Sequence, residues 1–374
     1  MDKLYNNIKN HWNDKIKEEY FNYLKRIEIF KLSTNWEESA LLETFLYNRV
    51  YARIYLKEEP YHPYNYIDED GVKFLKENYE KLPYIDKIIE IINTKNKKDI
   101  KTNIKINKKY LWYGDIQFLL DDRIKFLINL AKKNILKYNE EYNKKRAKLI
   151  AIKLVIRCML RYSSLGITGH HCSLTNEVYY YMYKNLGLKG EGFCSPFNSK
   201  LIEYEDTKIC TIFEDTDKYF KSLGPFNKSV MLENNNISWS MNPPFFKSAV
   251  KLCVKALFNA LDNTKNDMVI VMTIPYTKID IRKEEIFNKY MIGYINEKHV
   301  KIHENIIERE NTNQIFICNG KISKSFDDIY MLFYTNSQKD IKEHIMNLSI
   351  LWSKEATKDR KQSDYREPIK KLKK

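Results

Sequence analysis

Strand-like and helix-like segments alternate in the second half of this chain, and this alternation constrains its fold more than any other feature. Residues 237–241 have strand character, residues 247–261 repeat apolar residues at helical spacing, and residues 268–274 give the strongest strand signal, ending at Pro275. Short apolar strands that alternate with amphipathic helices are typical of an α/β domain. The pattern predicts such a domain over residues 166–352.

Further elements are predicted on either side of this central pattern. Residues 177–186 predict a helix, and residues near 190–195 predict a strand. Toward the end, residues 314–318 and 329–334 resemble an antiparallel pair joined by the polar loop 319–328. These elements extend the α/β interpretation to the whole second half of the chain.

The first 165 residues have a helical texture instead. Apolar residues recur there at three- and four-residue intervals, which predicts a helical domain. Its clearest segments are 38–47, 121–129 and 147–162. Residues 93–109 are rich in lysine and asparagine, and we expect a loop or linker there.

The chain is strongly basic, with 64 Lys and Arg against 49 Asp and Glu and a net charge of +15. This balance favours a polyanionic partner, because neutralising phosphates releases condensed counterions. The alternative is codon bias in an AT-rich genome, such as that of a large DNA virus or a protist. Residues 353–374 are expected to form a basic disordered tail, which either helps to hold RNA or has no role.

Cysteine and histidine usage points away from extracellular and metal-binding proteins. The six cysteines form no CxxC pair, which fits a reducing environment. His299 and His303 are four residues apart, but no third metal ligand accompanies them. The adjacent His170 and His171 are expected at an exposed hinge. The chain shows no signal peptide and no apolar run long enough to span a membrane. We expect an intracellular protein without a metal or membrane partner, in the cytoplasm (a viral factory, if viral) or nucleus.

The motif that carries chemistry is Asn242-Pro243-Pro244-Phe245, between a predicted strand and a predicted helix. Amino methyltransferases place an Asn/Asp/Ser-Pro-Pro-aromatic loop at such a junction. The Asn242 side-chain carbonyl and the Pro243 main-chain carbonyl would accept hydrogen bonds from an adenine amine, and the prolines would hold both carbonyls in place. Phe245 would stack on the base, and no metal is required. The alternative is a turn that only ends a strand.

A site for S-adenosylmethionine is less obvious, because no GxGxG loop is present. The best candidate is the strand and turn over residues 191–198, where Ser195 and Asn198 could bind the carboxylate and amino group of the methionine moiety. A strand and turn without a ligand is equally compatible with this segment alone.

Three motifs in order resemble the phosphorylated CTD-interacting factor family, the cap-specific adenosine N6-methyltransferases of eukaryotic mRNA. Residues 191–198 (EGFCSPFN) are similar to the family's ECFASPLN, and residues 213–224 (FEDTDKYFKSLG) to its FPDTDxYFGSxG. Residues 242–245 match its NPPF. The second motif departs from the family at Lys221, where the family has glycine.

The resemblance implies a Rossmann-like class I methyltransferase domain preceded by a helical domain. It implies N6-methylation of the first transcribed adenosine of 7-methylguanosine-capped mRNA, the reaction of an mRNA (2'-O-methyladenosine-N6-)-methyltransferase. It assigns Asn242, Pro243 and Phe245 to adenine. The implied S-adenosylmethionine contacts are Glu191, Cys194, Ser195, Pro196, Asn198 and Asp215. Asp215 could instead cap a helix.

The sequence is also compatible with other functions. The same loop serves adenine methyltransferases of internal RNA or DNA and protein glutamine methyltransferases, and a non-catalytic cap- or RNA-binding protein would keep the same fold. Candidate phosphate contacts are Arg49, Arg53, Arg157 and Arg161, which could equally be structural. No WW domain is expected, since Trp12 and Trp36 lie in helical context. Direct binding to the RNA polymerase tail is therefore not expected.

Overall fold

A computed structural model of the chain divides into two compact units, Met1–Thr168 with Arg366–Lys374, and Gly169–Tyr365. The structure describes residues 2–35, 38–39, 41–42, 45–46, 67, 69–80, 82, 84–95, 103–138, 141–165, 173–244, 247–275, 289–296, 299–308, 315–318, 321–324, 329–337, 339–352 and 369–370. Within these ranges, no helix has both the length and the apolar character needed to cross a membrane.

Helices dominate the first unit. They are α1 (Asp2–Phe30), α2 (Glu69–Asn78), α3 (Ile85–Asn93), α4 (Asp122–Tyr138) and α5 (Lys144–Leu165). The predicted helices over 121–129 and 147–162 are confirmed within α4 and α5, and the described residues of 38–47 are helical. Because α5 packs against both α1 and α4, it is buried around most of its circumference.

A small antiparallel sheet accompanies these helices. Strands β1 (Ile104–Ile106), β2 (Tyr110–Tyr113) and β3 (Ile116–Leu119) pair in sequence, and β14 (Ile369–Lys370) pairs with β3. The expectation of a loop over 93–109 is wrong for β1. Two residues of the segment expected to be a disordered tail form β14. Gly114, at φ 59°, makes the tight turn between β2 and β3.

The second unit contains both strands and helices. Its helices are α6 (Asn176–Asn185), α7 (Glu214–Asp217), α8 (Lys228–Glu233), α9 (Lys247–Asn263) and α10 (Lys342–Leu351), with short 3₁₀ turns at Leu201–Glu203 and Lys218–Phe220. Its strands are β4 (Leu188–Gly192), β5 (Lys208–Ile209), β6 (Ser238–Met241), β7 (Val269–Pro275), β8 (Met291–Ile295), β9 (His299–Ile302), β10 (Asn305–Glu308), β11 (Ile315–Cys318), β12 (Lys321–Lys324) and β13 (Ile329–Thr335).

Eight of these strands form one mixed sheet in the order β10-β9-β8-β13-β7-β6-β4-β5. Strands β5, β4, β6 and β7 are parallel neighbours, and β13 runs antiparallel between β7 and β8. The predicted α/β class is confirmed, as are the strands over 237–241 and 268–274 and the helices over 177–186 and 247–261.

The predicted terminal antiparallel pair is wrong. Strand β11 pairs with β12, whereas β13 inserts between β7 and β8. The partner of a strand is decided by burial of its two faces, and all seven residues of β13 are buried. A strand buried on both faces belongs inside a sheet and not in an edge hairpin.

Apolar side chains cover both faces of this sheet. On one face, Met272 and Leu332 pack with the buried side of α9. On the other, Val271 and Met331 pack with residues of α6 and α10. The sheet is therefore a central layer between helices, which leaves its strand ends for ligand binding.

Candidate active site

Three loops lie at the carboxyl ends of the adjacent parallel strands β5, β4 and β6. They comprise residues 210–217, 193–200 and 242–244. Main-chain hydrogen bonds join them: Cys194 N donates to Cys210 O over 3.1 Å, and Asn242 N donates to Gly192 O over 3.4 Å. The carboxyl edge of a parallel sheet is where α/β proteins bind ligands. The second and third loops contain the predicted cofactor and catalytic motifs, so the fold brings these two motifs together.

The strand β6 ends at Met241 and α9 begins at Lys247, which confirms the predicted strand–loop–helix junction. Asn242 is half-buried at this junction, and Pro243 and Pro244 are buried. Phe245 lies outside the described residues. Because the rings of the two prolines fix φ, the backbone that carries the Pro243 carbonyl and the Asn242 side chain has few accessible conformations.

Two glycines allow β4 to lie close to β6. A Cβ on Gly190 would overlap the buried Trp239 ring, and a Cβ on Gly192 would lie 2.8 Å from Met241 Sδ. Phe193 then adopts a left-handed φ of 62°, which turns the chain out of the strand. Gly190 and Gly192 were not predicted as site residues, although a Gly-x-Gly at the end of a strand is a usable sequence signal.

Ser195 and Asn198 close the turn after β4 through their own side chains. Asn198 Oδ1 accepts from Ser195 N over 2.7 Å and from Ser195 Oγ over 3.0 Å, and Ser195 Oγ accepts from the main-chain N of Asn198 over 3.3 Å. Because a main-chain N–H can only donate, the amide orientation of Asn198 is fixed. Its Nδ2 makes no hydrogen bond with the part of the chain that the structure describes.

The Glu191 carboxylate accepts hydrogen bonds from other groups of the protein. Its side chain is 3% exposed, and its Oε2 accepts from Ser199 Oγ over 2.6 Å and from Leu201 N over 3.2 Å. The structure therefore places Glu191 as an anchor of the loop, and its predicted cofactor contact stays a prediction.

Cys194 and Pro196 are buried within the same turn. Cys194 Sγ lies 3.6 Å from Cys210 O, to which it donates. Burial, with Glu191 next, raises the pKa of the Cys194 thiol well above its usual value. The thiol is thus protonated at neutral pH, which excludes Cys194 as a thiolate nucleophile in this state.

Asp215 lies after β5, exposed on the first turn of α7. The alternative that Asp215 caps this helix is wrong, because Phe213 occupies the N-cap position. The neighbouring Asp217 is fully buried, and its Oδ1 accepts from Thr216 Oγ1 over 2.9 Å. Asp215, like the adjacent Glu214, is an exposed carboxylate of this loop and remains a candidate ligand group.

Lys221 occupies a position where the resembled family has glycine, and its contacts show how the chain accommodates a larger residue there. It adopts a left-handed conformation with φ 67°, and its Nζ donates to Tyr204 O over 2.7 Å and to Ile202 O over 3.1 Å. Two hydrogen bonds from a charged group offset the roughly 1 kcal/mol that this conformation costs a non-glycine residue. The loop shape expected for glycine is thereby retained.

Two of the four arginines predicted to contact phosphates, Arg157 and Arg161, belong to the first unit and not to this strand edge. Arg157 Nη2 lies 2.9 Å and Arg161 Nε 2.6 Å from Glu19 Oε1, in the first unit. Arg157 is buried, so its guanidinium is committed to this ion pair. Arg49 and Arg53 lie outside the described residues, as do His170 and His171. His299 starts β9 and His303 follows it, and no metal-binding group of side chains occurs among the described residues.

Comparison with known proteins supports a specific family. The family model described as "Phosphorylated CTD interacting factor 1 WW domain" matches residues 131–304, which include β4 to β9. The mRNA (2'-O-methyladenosine-N(6)-)-methyltransferases of Homo sapiens and Mus musculus are each 29% identical over 114 residues, or 30% of this chain. That alignment covers 15% of the length of either relative. The resemblance found in the sequence motifs is confirmed.

The match also corrects one expectation. No WW domain is expected from the sequence, yet the matching family model carries that name. The two tryptophans considered were Trp12 and Trp36, which both precede the matched residues 131–304. The stated reason for doubting direct contact with the RNA polymerase tail therefore no longer holds.

Proposed function

We propose, from the resemblance to the phosphorylated CTD-interacting factor family, that this chain is an RNA methyltransferase that uses S-adenosylmethionine. Its substrate would be the N6 amine of the first transcribed adenosine beside a 7-methylguanosine cap. The observation that carries the proposal is the position of Asn242, Pro243 and Pro244 at the carboxyl end of β6, beside the 193–200 loop of β4. Parallel strands β5, β4, β6 and β7 support the Rossmann-like class I interpretation.

The residues at the strand ends fit the proposed cofactor. The fixed amide of Asn198 offers an Nδ2 donor, which suits the carboxylate of a methionine moiety and not its ammonium group. The exposed carboxylate of Asp215 suits the ribose hydroxyls or the amine. The Ser195 hydroxyl is occupied by the turn, so it would shape the loop more than bind the ligand. When bound, S-adenosylmethionine supplies the electrophilic methyl group.

The catalytic contribution of the chain would be two hydrogen-bond acceptors. The adenine amine is a poor nucleophile because its lone pair is delocalised into the ring. Acceptance of its two N–H groups by the Asn242 side-chain carbonyl and the Pro243 main-chain carbonyl would favour a tetrahedral nitrogen. The prolines reduce the entropy lost in holding these acceptors. Stacking of Phe245 on the base remains a prediction from the motif.

Capped mRNA is the proposed partner. The net charge of +15 suits an RNA backbone, whose phosphates it would neutralise. The name of the mammalian relatives specifies 2'-O-methyladenosine. Whether this chain needs that methyl group is a matter for substrate comparison. The protein would act where capped transcripts occur, in the cytoplasm or nucleus.

Methyl transfer to defined nucleic acids tests the proposal. The full chain would be incubated with tritiated S-adenosylmethionine and capped RNAs that begin with A or G, with the A-starting RNA prepared with and without the ribose methyl. Uncapped RNA and duplex DNA serve as comparisons. Labelling of A-starting capped RNA above all others is expected. Equal labelling of A- and G-starting RNA, or preferred labelling of uncapped RNA or DNA, contradicts the cap-adjacent assignment.

A further inference from the structure

The helical hairpin formed by α4 and α5 carries a concentration of positive charge in the first unit. Residues 132–148 contain seven Lys and Arg against two Glu, a net charge of +5, which is one third of the net charge of the whole chain. Helix α4 packs against α5, and the apolar side chains of Ile135 and Ala147 are buried. The charged side chains therefore occupy the outer side of the hairpin.

The exposed groups lie close to the turn along both helices. Lys133 and Lys137 are four residues apart on α4, and Lys144 and Lys148 are four residues apart on α5, so each pair lies on one helix face. All four side chains are exposed. At a rise of about 1.5 Å per residue, Lys133 and Lys148 lie within about 8 Å of the helix ends at the turn, measured along each axis. The basic hairpin surface is defined as Lys133, Lys137, Tyr138, Lys144, Lys145, Arg146 and Lys148.

Three of these cations do not stabilise the helix that carries them. Lys144, Lys145 and Arg146 lie in the first turn of α5, which contains no acidic residue. Positive charge at a helix N-terminus opposes the macrodipole and lowers helix stability. A polyanion relieves this repulsion, because its negative charge is attracted both by the three cations and by the helix end. An anionic partner therefore accounts for a charge placement that folding alone disfavours.

Aromatic rings accompany the charges and distinguish RNA from an acidic protein as the partner. Tyr138 is 65% exposed at the end of α4, with Lys137 Nζ 5.9 Å from its ring centre. The Arg146 guanidinium lies 4.1 Å from the ring centre of Tyr142. Exposed rings and guanidinium planes stack on unpaired bases, while lysines neutralise the phosphates. An acidic peptide has no bases to stack, so single-stranded RNA matches both features.

We propose that the basic hairpin surface binds the single-stranded part of the transcript that follows the capped end. This inference rests on the proposed function for the identity of the RNA. Lys144 and Lys145 contact phosphates, and Tyr138 stacks on a base. The surface raises the affinity for long transcripts and takes no part in methyl transfer, so its loss changes the KM for RNA and not kcat.

Charge reversal on the full chain separates RNA binding from stability. Lys144→Glu/Lys145→Glu should raise the Kd and the KM for a capped RNA of about 20 nucleotides at least about tenfold, measured by fluorescence anisotropy and methyl transfer. The KM for a capped dinucleotide, which lacks the downstream strand, should stay within about twofold, as should kcat. The melting temperature should stay the same or rise, because acidic residues suit a helix N-terminus. Unfolding would lower it instead.

The chain offers matched controls for both kinds of group. Lys339 and Lys342 are 76% and 54% exposed in the second unit, and Lys342 begins α10. Lys339→Glu/Lys342→Glu makes the same change of net charge and should leave RNA binding within about twofold. Tyr138→Ala should raise the Kd for RNA about fivefold or more through lost stacking. Tyr180→Ala should not, although Tyr180 is also exposed and has Lys184 Nζ 5.9 Å from its ring centre.

The possible failures are distinguishable. If Lys144→Glu/Lys145→Glu binds the long RNA as tightly as the Lys339→Glu/Lys342→Glu control does, the RNA-binding role of the hairpin is overturned while the proposed function stands. If polyglutamate displaces the RNA at equal charge concentration, the surface binds acidic peptides and its assignment to RNA is overturned. If the unaltered chain methylates no capped RNA while the expected pattern of Kd values holds, the proposed function fails and the RNA-binding surface stands.

Discussion

Replacing Glu19 with alanine should destabilise the first unit strongly, because Glu19 is the carboxylate that two arginines of α5 share. Arg157 Nε and Nη2 donate to Glu19 Oε1 over 3.1 and 2.9 Å, and Arg161 Nε donates over 2.6 Å. The side chains of Glu19 and Arg157 are 5% and 2% exposed, and that of Arg161 is 14% exposed. The carboxylate thus joins α1 to α5 within the core.

The size of the expected stability loss follows from the burial of the Glu19–Arg157 ion pair. Removing one partner of a buried ion pair costs about 3–5 kcal/mol, because the remaining charge keeps its desolvation penalty without its counter-charge. At about 2–4 °C per kcal/mol for a unit of this size, the melting temperature should fall by roughly 6–20 °C. Glu19→Gln keeps an acceptor oxygen but not the charge, so we expect an intermediate loss.

Thermal and urea unfolding of the full chain measure this effect. The control is Glu90→Ala, which removes an exposed ion pair with Lys87 and should change stability by no more than about 0.5 kcal/mol. A loss for Glu19→Ala no larger than that of Glu90→Ala refutes the reasoning. In that case Arg157 and Arg161 are again candidate phosphate contacts. Arg157→Ala would test this, since it should then weaken RNA binding without changing stability.

Three further predictions concern the second unit. Gly190→Ala should lower stability by about 1–3 kcal/mol in thermal unfolding, because the new Cβ overlaps the Trp239 ring; an unchanged melting temperature contradicts this packing. Asn198→Asp keeps the acceptor for Ser195 but replaces the Nδ2 donor with an oxygen, so calorimetry should show weaker S-adenosylmethionine binding; tighter binding would exclude a carboxylate contact. Burial raises the pKa of the Cys194 and Cys210 thiols, so both stay protonated at pH 8. Mass spectrometry should find them unalkylated by iodoacetamide until the protein unfolds, and their modification in the native protein would refute this.

Local patterns predicted several elements near the loop that begins at Asn242. Helix α9 shows apolar residues at helical spacing, and β7 is an apolar run bounded by Pro275, so both follow from sequence alone. The motif that begins at Asn242 lies between β6 and α9, as the sequence predicts. Here the local preference and the tertiary environment agree.

Elements that depend on distant partners were not predictable in the same way. Strand β1 has only Ile104, Lys105 and Ile106, too few residues for alternation to stand out in a lysine-rich tract. The pairing of β13 with β7 and β8 is a long-range choice that no local pattern encodes. Tyr179 lies among Tyr180, Tyr181 and Tyr183 in one helix, and only the structure shows that Tyr179 is the one of the four that is buried.

The most direct test of the central claim is the rate of N6-methyladenosine formation by Asn242 variants, measured by mass spectrometry of nucleosides from digested capped RNA. The account predicts that Asn242→Ala slows methyl transfer about 100-fold while the Kd for S-adenosylmethionine is unchanged. Asn242→Asp, which keeps a side-chain acceptor, should be slowed less. Transfer by Asn242→Ala at the rate of the unaltered chain would contradict the account.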